Sequence, residues 1–199
     1  MTFAARQPVP PAKAYRLINH GPTVLVSSAH AGRRNVMAAA WNCGLDFTPA
    51  RVMVVIDKST FTRELVDASG VFALNIPCRA QAQATRDVGA VSGRHAAVDK
   101  FQRFGLSTFE ASTIAVPLVE GCVGWLECRV IAEPHNEKAY DLFIGEVQAA
   151  WADPRVFSDG RWHFGDDASL RTIHYLAGGT FHVTGDAFEV QTPALQSGT

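Results

Sequence analysis

Arg51-Val52-Met53-Val54-Val55-Ile56-Asp57-Lys58-Ser59-Thr60-Phe61-Thr62-Arg63-Glu64-Leu65-Val66-Asp67-Ala68-Ser69-Gly70 holds a strand, a polar loop and a helix in twenty residues. The run from Arg51 to Ile56 is continuously apolar after its first residue, as in a strand buried on both faces. The helix spans Phe61 to Ala68. Hydroxyls at Ser59, Thr60 and Thr62 crowd its start, and Ser69-Gly70 stops it. Working outward, Thr23–Ser28 and Asn35–Leu45 read as strands upstream. Downstream come Val71–Ile76, stopped by Pro77, then Gly124–Ile131, Leu142–Ala149 and Gly179–Val183. Gly185-Asp186 turns the last of these toward Ala187–Val190. A second helix covers Gln81–Asp87. The helices interrupt the strand series instead of alternating with it. That argues for a mainly β fold, a closed antiparallel barrel with helical inserts, and against a doubly wound parallel sheet.

The chain has 199 residues, 47% hydrophobic and 19% charged. This suits one ordered domain, expected over residues 15–190, with an irregular Pro-rich arm at 1–14 and a flexible tail at 191–199. No apolar run approaches the ~18 residues of a membrane-spanning helix. The N-terminal segment lacks the apolar core of a secretion signal. A net charge of −1 gives no indication of a nucleic-acid or anionic-membrane partner. Four cysteines occur without a CxxC pair, so no metal site is expected. They read as thiols in a reducing, cytoplasmic compartment.

No GxSxG elbow, HExxH, Walker loop or helix-opening GxGxxG is present, so no residue is assigned a catalytic role. Four segments remain informative. Lys58-Ser59-Thr60-Phe61-Thr62 brings hydroxyls, a cation and free N–H groups to a helix start, which suits a phosphate; plain N-capping is the alternative. Asn35-Val36-Met37-Ala38-Ala39-Ala40-Trp41-Asn42 is small-residue-rich, so a flat ligand could approach its backbone; a tightly packed strand with Trp41 in the core is the alternative. Ser92-Gly93-Arg94-His95 with Asp99-Lys100-Phe101 could meet an anion, or form a solvated loop with an Asp–Lys pair. Arg171-Thr172-Ile173-His174-Tyr175 precedes Gly178-Gly179 and could present two rings, or be a loop entering the last strand.

In order along the chain, Asn35-x-Met37 leading to Trp41, Ser59-x-x-Thr62, Asn75-Ile76-Pro77, Ser92-Gly93-Arg94 with Asp99-Lys100-Phe101, Leu126-Glu127-Cys128-Arg129-Val130, Ile144-Gly145-Glu146-Val147 and Arg171-Thr172-Ile173-His174 resemble the flavoredoxin-like flavin reductases. The resemblance spans about Asn19 to Val190. It implies an FMN-binding split β-barrel of Greek-key type, usually a homodimer with flavins at the subunit interface. By position, Asn35 and Trp41 resemble the flavin-contacting pair, and Lys58, Ser59 and Thr62 the phosphate cradle. Lys100 resembles the cation near the cofactor, with Tyr140 and His174 beside the flavin. Met37, Ala39, Ala40, Asn42, Thr60, Asn75 and Arg94 complete the candidate cofactor-binding set. Ala38 and Ala40 stand where many relatives carry hydroxyls, and Asp46 replaces a frequent Ser.

The implied activity is transfer of hydride from NADH or NADPH onto FMN, with electrons passing to free flavin, a partner monooxygenase or another acceptor. Such chemistry asks the protein for orientation, water exclusion and a suitable field more than for a catalytic side chain. The competing readings are an FMN electron carrier reduced by a protein partner and a flavin-free interaction barrel.

Overall fold

The computed structural model describes residues 6–94 and 99–191. The strands are β1 (Gln7–Val9), β2 (Val24–His30), β3 (Arg33–Ala39), β4 (Asn42–Phe47), β5 (Ala50–Val55), β6 (Val71–Ile76), β7 (Thr108–Glu110), β8 (Pro117–Val119), β9 (Gly124–Ile131), β10 (Leu142–Ala152), β11 (Phe157–Ser158), β12 (Arg161–Trp162), β13 (Ile173–Ala177) and β14 (Thr180–Val183). The helices are α1 (Pro11–Ala14), α2 (Phe61–Ser69), α3 (Ala82–Ala90), α4 (Lys100–Arg103) and α5 (Pro134–Tyr140). The fold is mainly β with helical inserts.

One antiparallel sheet runs β3-β2-β6-β9-β10-β5-β4, with β1 added to β10. Its two outer strands, β3 and β4, are consecutive in the chain and joined by Ala40-Trp41. The sheet must therefore curl until its ends come together at that link, where Val55 N donates to Trp41 O at 3.0 Å. Among the described residues no β3–β4 ladder closes the seam, so the expected fully closed barrel is found as a curled, open sheet. The interior is filled by Leu17, Val26, Val52, Val54, Ile56, Phe72, Leu74, Ile76, Leu126 and Phe143, all essentially inaccessible to solvent.

Several sequence expectations change. Asn35–Leu45 is not one strand but the end of β3, a two-residue link and the start of β4. The β5 strand is not buried on both faces: Val52 and Val54 are inside, while Met53 and Val55 are half-buried. The supposed arm is structured from residue 7. Its β1 pairs with Ala150–Ala152, extending an edge of β10 beyond the residues that pair with β5. An edge position tolerates Pro8, which has no N–H to offer, and Pro11 suits the first turn of α1. One-turn helices α1 and α4 carry too little periodicity to be read from sequence. Ala187–Val190 forms no strand; Phe188 and Val190 are solvent-exposed. The expected tail, from 192 on, and His95 lie outside the described residues.

α2 follows its sequence signals closely. Thr60 is the N-cap, its Oγ1 accepting from Arg63 N at 3.2 Å, and Gly70 ends the helix with φ 69°. Phe61, Thr62, Leu65 and Val66 face inward. The free Ser59 N–H is used locally, donating to Asp57 Oδ1 at 2.7 Å. The Ser59 hydroxyl first, and then this N–H, hold the Asp57 carboxyl below its usual range.

Candidate functional site

A cavity of about 680 Å³ opens beside the β3–β4 link. The end of β3 and the link supply Met37, Ala38, Ala39, Ala40 and Trp41. β5 and the loop after it supply Val55 and Asp57, and α3 supplies Thr85, Arg86, Gly89 and Ala90. The β13–β14 hairpin adds Tyr175, Gly178, Gly179 and Phe181. The volume falls within the ~300–1,000 Å³ typical of small-molecule sites.

Local sequence explains the shape. Alanines along β3 let α3 approach closely: a Cβ placed on Gly89 would lie 3.2 Å from Ala38 Cβ. The floor is therefore flat and apolar. Trp41 is 75% exposed at the rim, not a core residue, so it has area to give a ligand or a partner. Tyr175 and Phe181 face each other across the hairpin, ring centroids 5.3 Å apart. Thr85 is fully buried, and its Oγ1 has no hydrogen-bond partner among the described residues.

Of the sequence candidates, Met37, Ala39, Ala40 and Trp41 line this cavity. The others do not, for reasons visible in their bonding. Asn35 is buried and donates from Nδ2 to Thr62 Oγ1 at 2.8 Å, tying β3 to α2. Gly93 lies so close to Asn35 that an added Cβ would stand 2.2 Å from its Oδ1. Lys58 and Ser59 are exposed, and Thr60 is occupied as the cap. Asn42 donates to Pro22 O at 2.9 Å. Asn75 lies in the core, donating to Leu25 O and Ser27 Oγ and accepting from Val119 N. Arg94 pairs with Glu64 on α2.

Lys100 is the sharpest difference. It is only 4% exposed, and Nζ donates to Val36 O at 3.0 Å and Val88 O at 2.8 Å. Burial lowers its pKa to about 8. The neighbouring Asp99 pairs with Arg34, so no surface Asp99–Lys100 pair forms. Tyr140 is exposed and packs on His135, away from the cavity.

His174 is inside β13, not in a loop, and both ring nitrogens are engaged, by Gly21 O at 2.9 Å and Thr184 Oγ1 at 3.0 Å. Its ring meets His20 edge-on at 5.5 Å. Burial, and then His174, push the pKa of His20 down to about 4, so His20 is neutral near pH 7. The pair anchors the base of the hairpin whose far end borders the cavity.

Sequence reading missed the α3 contribution of Thr85, Arg86 and Gly89. The available signal was a second small-residue stretch, Gly89-Ala90, one turn beyond Thr85-Arg86 on a helix.

The flavin reductase-like domain model matches residues 15–171. An uncharacterised protein of Escherichia coli (strain K12) is 47% identical over 175 residues, covering 86% of this chain and 91% of that protein. A crystal structure from Shewanella baltica OS155, described as an FMN-binding domain of a flavin reductases-like enzyme, is 47% identical, with a TM-score of 0.93 over 96% of this chain and 100% of that one. Flavoredoxin of Desulfovibrio vulgaris (Miyazaki F) shares the fold at 23% identity, with a TM-score of 0.72, covering 100% of this chain and 96% of its own. The chain belongs to the flavin reductase-like domain family.

Proposed function

We propose that this chain is an FMN-dependent oxidoreductase that takes a hydride from NADH or NADPH and passes the electrons to free flavin, a partner monooxygenase or another acceptor. The observation that carries the reading is the flat apolar floor of Met37 to Ala40 under a cavity of about 680 Å³. The three alanines, Ala38 to Ala40, let a tricyclic ring approach the backbone, and the cavity is large enough for it. Lys58 and Ser59 remain exposed beside α2, where a phosphate suits the helix start. The FMN-binding description of the Shewanella baltica structure, at 47% identity, supports the same cofactor.

Bound against this floor, FMN would supply an N5 able to accept hydride from a dihydronicotinamide and to release two electrons to an acceptor. The chain's residues have the tasks of binding, orienting and drying. The alanine floor and the Tyr175–Phe181 pair define a slot for stacked rings and exclude water from it.

A homodimer belongs to the reading. β4 is an outer strand with Leu45 50% and Phe47 61% exposed, continuous with the exposed Trp41. A second copy seated there would cover this apolar edge and wall the cavity at Trp41. The free cysteines support a reducing, cytoplasmic compartment.

The test is the visible spectrum of FMN-loaded protein, followed by anaerobic titration with NADH and with NADPH. Bleaching of the bound flavin by either nucleotide is the expected result. Failure to retain FMN rejects the flavin site. Retention without bleaching replaces the reductase by an electron carrier.

A further inference from the structure

Thr85 and Arg86 are consecutive on α3, and both line the cavity. Thr85 is buried with an unsatisfied hydroxyl, a state that native proteins seldom leave without a partner. Arg86 is exposed at the rim and makes no hydrogen bond or ion pair among the described residues. Its position is nevertheless defined: a Cβ placed on Gly179 would lie 2.4 Å from Arg86 Nε. Gly179, with φ 87°, thus lets the hairpin turn pass directly beneath the guanidinium. Arg86 is the one cation among the lining residues and Asp57 the one anion, and they stand on different elements. An anion at the rim of this cavity on the α3–hairpin side is drawn to Arg86.

We propose that Arg86, with Thr85 beneath it and the Gly178-Gly179 turn beside it, forms a subsite for the pyrophosphate of the nicotinamide dinucleotide donor. The inference rests on the reductase reading and deepens it. Stacked flavin and dihydronicotinamide rings occupy the apolar floor, so the charged part of the donor must lie at the rim, where Arg86 is. A guanidinium fork matches two phosphoryl oxygens, and an arginine without an internal carboxylate partner is free to do so. The flavin phosphate has a separate station beside Lys58 and Ser59 at the start of α2.

The experiment is anaerobic single-turnover bleaching of FMN-loaded wild type, Arg86→Gln and Arg86→Lys by the reducing dinucleotide. It is accompanied by dissociation constants for FMN and riboflavin. Arg86 is exposed, so both variants should fold. For Arg86→Gln the half-saturating dinucleotide concentration should rise about 10- to 100-fold, the loss expected for a charge-assisted hydrogen bond. The limiting rate should stay within about twofold. Arg86→Lys should recover part of the loss, because it keeps the charge without the fork. Reduced nicotinamide riboside, which has no pyrophosphate, should not distinguish the proteins. An unchanged half-saturating concentration in Arg86→Gln overturns the subsite. So does a matching loss of FMN affinity with riboflavin unaffected, which would assign Arg86 to the flavin phosphate. If wild type binds FMN but neither dinucleotide bleaches it, the reductase reading falls and the subsite with it; that failure shows before any variant is made.

Discussion

Replacing Lys100 by Met should make the protein's stability respond to pH differently from wild type, and the size of the difference follows from the burial. The Lys100 ammonium is 4% exposed and meets two backbone carbonyls. Burial lowers its pKa from the ordinary 10.5 to about 8. Below pH 8 folded and unfolded chains both hold the proton, and the group's contribution is constant. Between about 8 and 10.5 the unfolded chain binds more protons than the folded one, so stability rises with pH. At about 1.4 kcal/mol per pH unit, the gain is at most about 3 kcal/mol. Met keeps the length and removes the titration. It also leaves Val36 O and Val88 O without their donor, at about 1–3 kcal/mol each, offset near neutral pH by relief of the buried charge. The deficit of Lys100→Met should therefore be modest at pH 7 and grow by up to about 3 kcal/mol by pH 10. Urea unfolding of both proteins at pH 7, 8, 9 and 10 measures it, and the other titrating groups cancel in the difference. A deficit that stays flat across this range would refute the desolvation argument.

The same substitution tests what Lys100 does for the site. Val36 is on β3 and Val88 on α3, the two elements whose small residues meet under the cavity. Lys100 fastens one to the other without lining the cavity itself. Loss of the clamp should weaken FMN binding in both redox states alike and leave the midpoint potential unchanged. A selective fall in potential would mean that the ammonium acts on the ring directly.

Glu127 is inaccessible on β9 and accepts from Ser112 N, Ser112 Oγ, Thr113 N, Thr113 Oγ1 and Trp151 Nε1, at 2.6–3.0 Å. Burial alone would raise its pKa, but these donors outweigh burial and hold it below 4.5. Its stabilisation is present above pH 4.5 and lost as pH falls through the lowered value, and Glu127→Gln should cost about 2–4 kcal/mol at pH 7 in chemical denaturation. Light scattering of the FMN-loaded protein should give twice the chain mass, and Phe47→Asp on the exposed edge of β4 should shift it toward one; a monomeric wild type at micromolar concentration rejects the dimer.

The elements with dense local signals were legible. Val71–Ile76 and Gly124–Ile131 were bounded to the residue, because the first is a mostly apolar run stopped by Pro and the second a β-prone run that opens on Gly. The start and end of α2 followed from a hydroxyl cap and a left-handed glycine. What failed depended on partners distant in sequence. Asn75 reads as a polar residue within a strand, yet its acceptors and donor come from β2 and β8, so it rivets the core and does not line the cavity. Lys100 reads as a solvated charge beside Asp99, and only the placement of Arg34 on β3 takes that aspartate away. The alanines of β3 invite a flat ligand. Alone they could equally have meant a strand packed tightly into a core. The matching invitation lies about fifty residues later, where Thr85 with Gly89 and Arg86 with Ala90 repeat at helical spacing. Neither stretch forms a floor by itself. The curl that brings β3 to the end of the sheet, and the helix laid across it, make two small-residue stretches into one surface, with a buried hydroxyl and, among the described residues, a guanidinium without a partner at its margin. That pairing, more than any single residue, makes the cavity suited to a flat, partly anionic ligand.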